Sequence, residues 1–132
     1  MRCHTETDFV RFADQALPFL AHDPVKNNIA YTVVADRRHG GWPVEPDALW
    51  IWIQDDAGES VGLAIRTPPR PLLLTGMSTA AAHAIADHLA TCHPRLDAVS
   101  GPVSTARDFA RQWSVRTGEN VEPLLHFRLF QL

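Results

Sequence analysis

The chain has 132 residues and a formal charge of −3, from Lys+Arg 12 against Asp+Glu 15. That length makes a single domain, 1–132, able to bury about two-thirds of its unfolded surface, and 45% hydrophobic with 20% charged residues excludes wholesale disorder. The mildly acidic balance argues against a nucleic-acid footprint, which needs clustered Lys and Arg.

No stretch approaches the ~18 apolar residues of a membrane span, and the N-terminus lacks the charged-then-apolar order of a signal peptide. A cytoplasmic protein with no membrane partner is therefore expected. Cys3 and Cys92, the only cysteines, read as reduced and unpaired.

In chain order, Thr7 or Asp8 is placed to cap a first helix, because a short side-chain oxygen accepts from an unpaired first-turn N–H. Phe9, Phe12 or Ala13, Ala16 and Leu20 form its apolar stripe, and Pro18 should end or kink it. Asp23-Pro24 starts a second helix, with Val25, Ile29 and Val33 inward, Arg37, Arg38 and His39 near its negative pole, and Gly40-Gly41 as its stop.

Leu49 to Gln54 and Val61 to Thr67 flank a turn-rich link and predict a β-hairpin. Its expected register sets Trp52 opposite Gly62 and Trp50 opposite Ala64, with the small residues on the tryptophan face. Thr67 to Pro71 is a stiff connector, since proline has no ladder donor. It leads into a short buried strand over Leu72 to Gly76. Ser78 caps a third helix with Ala81, Ile85, Leu89 and Cys92 inward. A strand at Ala98 to Ser100 follows. Gly101-Pro102 opens a fourth helix, with Ala106, Phe109 or Ala110, and Trp113 inward and Gly118 as its stop.

Leu124 to Leu132, apolar to its last residue, predicts a closing strand. Such a strand is tucked between others, covered by a partner, or the remnant of a longer natural chain. The expected fold class is α/β, a mixed β-sheet flanked by helices in the order α-α-β-β-β-α-β-α-β. Leu72 to Ser100 contributes a parallel pair with a right-handed crossover.

Three blocks carry a resemblance: Phe19-Leu20-Ala21-His22-Asp23-Pro24-Val25-Lys26-Asn27-Asn28, Ile65 through Thr75, and Ser100-Gly101-Pro102-Val103-Ser104-Thr105-Ala106-Arg107. Together with the element order, less the usual first strand, they resemble actinobacterial proteins of the GNAT superfamily of acyl-CoA-dependent N-acyltransferases. In those proteins a segment like this is the N-terminal half, followed by a second GNAT-like half. The resemblance implies acetyl-CoA as cofactor and an amine on a small molecule or peptide as acceptor.

GNAT enzymes hold the cofactor pyrophosphate in a (Q/R)-x-x-G-x-(G/A) loop between the fourth strand and the following helix, where backbone N–H groups meet phosphate. Here that place reads Thr75-Gly76-Met77-Ser78-Thr79-Ala80-Ala81, with one glycine and no arginine or glutamine. The candidate cofactor-binding residues are Leu74, Gly76, Met77, Ser78 and Thr79, with bare N–H groups expected at the last three.

No catalytic residue carries over. Tyr31, on the second helix, reads as packing; Glu59 lies in the hairpin turn; and His126 reads first as a strand histidine and second as a general acid. His88, Cys92 and His93, with Cys3-His4, lack the second close pair of a zinc signature, so no metal is expected. Ser100 to Ser104 lacks the spacing of a hydrolase elbow.

Arg66, Arg70 and Arg37-Arg38 read as scattered charges, and the four tryptophans as core. His39-Gly40-Gly41-Trp42-Pro43 suits a lid over an acceptor site as well as any exposed loop. The implied function is an N-acetyltransferase domain, inactive alone because its pyrophosphate loop is degenerate; the alternative is a non-catalytic interaction or ligand-binding module. A homodimer is expected to cover a sheet edge at the last strand.

Overall fold

A computed structural model of the chain describes residues 1–92, 96–119, 122–124 and 129–131, the last two stretches as backbone. The elements are β1 (Arg2–Thr5), α1 (Phe9–Ala21), α2 (Asn28–Arg38), β2 (Leu49–Gln54), β3 (Ser60–Arg66), β4 (Leu72–Leu74), α3 (Thr79–Cys92), β5 (Ala98–Ser100), α4 (Val103–Thr117), β6 (Glu122–Leu124) and β7 (Leu129–Gln131). The fold is α/β. Its mixed sheet has the order β1-β2-β3-β4-β5-β7-β6, with β4 and β5 parallel and every other pair antiparallel. No helix among the described residues is long and apolar enough to cross a membrane.

The alternation of β2 and β3 builds two cores. Trp50, Trp52, Leu63 and Ile65 face α1 and α2, where they meet Phe9, Phe12, Leu20 and Val34. Ile51, Ile53 and Ala64 face α3 and α4, against Ile85, Leu89, Phe109 and Trp113. Phe12 sits between both indoles, with ring centroids 5.5 Å from Trp50 and 5.3 Å from Trp52, a tilted arrangement that the aromatic quadrupole favours.

The structure departs from the sequence reading at several elements. A first strand, β1, precedes α1; at an edge with only alternate residues half-buried, it carries no apolar run to announce it. Asp8 does cap α1, accepting from the N–H of Val10 at 3.0 Å. Pro18, however, does not end that helix, which continues to Ala21. The buried stripe through Phe12, Ala16 and Leu20 outweighs the one lost backbone bond.

In the hairpin, Trp50 pairs with Ile65, Trp52 with Leu63, Ile51 with Ala64 and Ile53 with Gly62, and the ladder shifts between Ile53 and Gln54. The small residues therefore lie on the isoleucine face, opposite to the expected register. The side chain that needs the space at Gly62 is Met77, whose Cε would lie 2.9 Å from an added Cβ.

Asp23 closes only a single turn, accepting from the Lys26 and Asn27 N–H groups, and regular helix begins at Asn28. The inner face of α2 is Ala30, Val34 and Arg37, while Val25 is 86% and Ile29 65% exposed. Cys92 is exposed as well: α3 packs through Ala82, Ala86 and Ala90 beside the expected Ala81, Ile85 and Leu89. Of the predicted single strand over 124–132, the described residues are Leu124, which ends β6, and β7; the two strands pair antiparallel, and β7 lies between β5 and β6, off the sheet edge.

Candidate functional site

β4 and β5 run parallel, with Leu72 beside Val99 and Leu73 beside Ser100, so their carboxyl ends open side by side. Ligands of open α/β sheets collect at such ends. Here the space between them and the turn leading into α2 is a cavity of about 230 Å³, whose walls include Lys26, Asn27, Ile29, Leu74, Thr75 and Gly101. Gly101 is the glycine this approach requires: a Cβ there would stand 2.8 Å from the Leu74 carbonyl oxygen. Sequence reading gave it only the role of opening α4.

Of the five candidate cofactor residues, Leu74 lines this cavity; Gly76, Met77, Ser78 and Thr79 do not. Thr75 anchors the loop, its hydroxyl accepting from the Leu63 N–H at 2.9 Å. The Met77 N–H is not bare. It donates to Thr105 Oγ1 at 3.2 Å, and the Thr105 hydroxyl donates back to the Met77 carbonyl at 3.3 Å.

Ser78 caps α3 by accepting from the Ala81 N–H. Thr79 Oγ1 donates to Asp108 Oδ2 at 2.8 Å, which sets a carboxylate beside the loop. The loop holds no cationic side chain. A diphosphate needs positive charge and several free N–H groups, and the residues present do not fit that requirement. The walls of the 230 Å³ cavity include no Asp, Glu, His, Tyr or Cys among the described residues, and the titratable side chain they do carry is Lys26. Glu59 is exposed in the hairpin turn, Tyr31 is partly exposed on α2 off the cavity wall, and His126 lies outside the described residues.

The arginines expected to be scattered are in part gathered. Arg37, 8% exposed, donates from Nε and Nη2 to the two Glu45 carboxylate oxygens at 2.7 and 2.8 Å, and from Nη1 to the Val33 carbonyl at 3.1 Å. Hydrogen bonding from Arg37 holds the Glu45 carboxyl below its ordinary range. Arg70 approaches the same carboxylate at 3.9 Å, and both guanidiniums lie against the Trp42 ring, at 5.8 and 5.9 Å from its centroid. The sequence signal was an arginine in phase with Ala30 and Val34, a buried position read as a dipole-facing charge.

Across the sheet, the Thr5 hydroxyl and His88 Nε2 are 2.7 Å apart. Burial, then the neighbouring His4, lowers the His88 pKa. Burial also pushes the Cys3 thiol up to about 11, away from thiolate chemistry. No group of three or more His, Cys, Asp or Glu that could hold a metal ion occurs among the described residues; His93 is outside them.

The chain matches no family model, no curated protein and no solved structure.

Proposed function

We propose that this chain is a GNAT-like domain of the acyl-CoA-dependent N-acyltransferase type that does not transfer an acyl group by itself, and that it works in the cytoplasm paired with a second domain or subunit. The element order supports the GNAT-like part, because β1 ahead of α1 supplies the first strand that the sequence reading lacked. One observation carries the non-catalytic part. In the β4–α3 loop the Met77 N–H is spent on Thr105, the loop carries no cationic side chain, and the Asp108 carboxylate is bonded to Thr79 beside it.

Calorimetric titration of the whole chain with acetyl-CoA, using 3′,5′-ADP as competitor, tests this. The expected result is no heat at millimolar ligand. Micromolar, competitor-sensitive binding would overturn it and favour the second reading, an enzyme acylating an amine on a small molecule or peptide. That reading has its own support in the cavity at the carboxyl ends of β4 and β5. A partner with an intact glycine loop, encoded by an adjacent reading frame, would identify the other half.

A further inference from the structure

A second cavity, of about 140 Å³, opens on the other side of Ile29, Leu73 and Ser100, which line both spaces. Its remaining walls are Val33, Ile65 and Pro71, which are apolar, with Thr67 and Arg70. Two independent observations say what it takes.

The first is a hydroxyl with nothing to bond. The buried polar residues among those described are Arg37, Thr67, Thr75 and Thr105. Arg37 bonds Glu45, Thr75 bonds Leu63 and Thr105 bonds Met77. Thr67, 4% exposed, has no side-chain partner among the described residues. No sealed side-chain polar atom in the described structure lacks a partner, so its hydroxyl opens onto accessible space, and the space that Thr67 lines is this cavity. Leaving such a group unbonded is costly unless water or a ligand satisfies it.

The second is charge. Arg37 and Arg70 share the single Glu45 carboxylate, and Arg37 already takes both of its oxygens in hydrogen bonds, which leaves Arg70 a contact of 3.9 Å. The cluster therefore has one positive charge in excess, on a half-exposed guanidinium at the cavity rim. A planar guanidinium matches a carboxylate through two parallel N–H donors.

We propose that this cavity binds a small carboxylic acid with a compact apolar body, its carboxylate on Arg70 and the Thr67 hydroxyl and its body against Ile29, Val33, Ile65 and Leu73. The size of the cavity limits the body to a short branched chain or a single ring. The binding is independent of any acyl transfer, and its test contains no coenzyme.

The probe is 4-methylpentanoate, titrated calorimetrically into the whole chain, with 4-methylpentanamide and acetate as controls. Saturable one-to-one binding of 4-methylpentanoate is expected, with each control about tenfold weaker or more. Arg70→Gln and Thr67→Val should each lose about tenfold in affinity while melting cooperatively near the parent temperature, because Arg70 is half-exposed and valine keeps the shape of threonine. Absence of binding overturns the site. Equal binding of the amide overturns the role of Arg70, and equal binding of acetate overturns the apolar walls. Unchanged affinity in either variant removes that side chain from the site and overturns the assignment.

Discussion

At Gly101 the backbone of the loop after β5 lies against the Leu74 carbonyl, and no flexible group is there to yield. Gly101→Ala should cost about 1–3 kcal/mol in urea denaturation. Gly62→Ala, whose added Cβ meets the Met77 Cε at 2.9 Å and the Met77 Cβ at 3.2 Å, should cost less, since the thioether end can swing aside and the Cβ need give only slightly. The pH response of His88 belongs to the same scale. Its pKa in the fold is below the ordinary 6.5 of the unfolded chain, so the unfolded state binds more protons. Stability is then complete above the unfolded pKa and falls as pH drops from there toward the folded value. The urea midpoint should decline between about pH 7.5 and 5.5, and His88→Gln should flatten that decline. Glu6 and Glu45, held below 4.5, titrate outside that window.

Among the elements, α2 is the one whose sequence misleads most. Val25, Ile29 and Val33 make a plausible apolar stripe, yet the helix turns Ala30, Val34 and Arg37 inward. Arg37 is tolerated there because Glu45 and the Val33 carbonyl satisfy its guanidinium, and the bond to Glu45 ties the 39–48 loop to the helix. Arg37→Met should cost about 2 kcal/mol, less than a fully buried pair because Glu45 retains some solvent contact. Chemical denaturation measures this, and faster proteolysis within 39–48 should accompany it. Rotating Ile29 outward from α1 places it on the wall shared by both cavities, so the mismatch of the stripe with burial marks the place where α2 faces a cleft. By contrast α4 was legible nearly in full, from Pro102 at its cap to Gly118 with φ 76° at its end, because cap, stripe and stop agree there.

Over the whole molecule, the sheet divides the protein into a core of Phe9, Phe12, Trp50 and Trp52 under α1 and α2 and a more aliphatic core, with Phe109 and Trp113, under α3 and α4. Phe12, which touches both indoles and is fully buried, is the test of the first: Phe12→Ala should cost about 3–5 kcal/mol by urea denaturation. The argument for a homodimer from an open last strand loses its premise, since β7 has neighbours on both sides. Deleting residues from Phe127 onward would remove β7 from between β5 and β6. The cooperative unfolding transition of the remaining chain should then be lost, as circular dichroism would record.

The sequence by itself determined the number and kind of helices, the β2–β3 hairpin, the parallel β4–β5 pair and most buried stripes. Each of those rests on local periodicity and caps, which any short segment carries within itself. Only the tertiary structure decided the hairpin register, the rotation of α2, the pairing of β1 and the position of β7 within the sheet. The spending of the Met77 N–H on Thr105 and the gathering of Arg37, Glu45, Trp42 and Arg70 also belong to it. In every one of these cases the partner lies outside the local segment or the choice is set by packing between elements, and sequence order does not say which groups will meet.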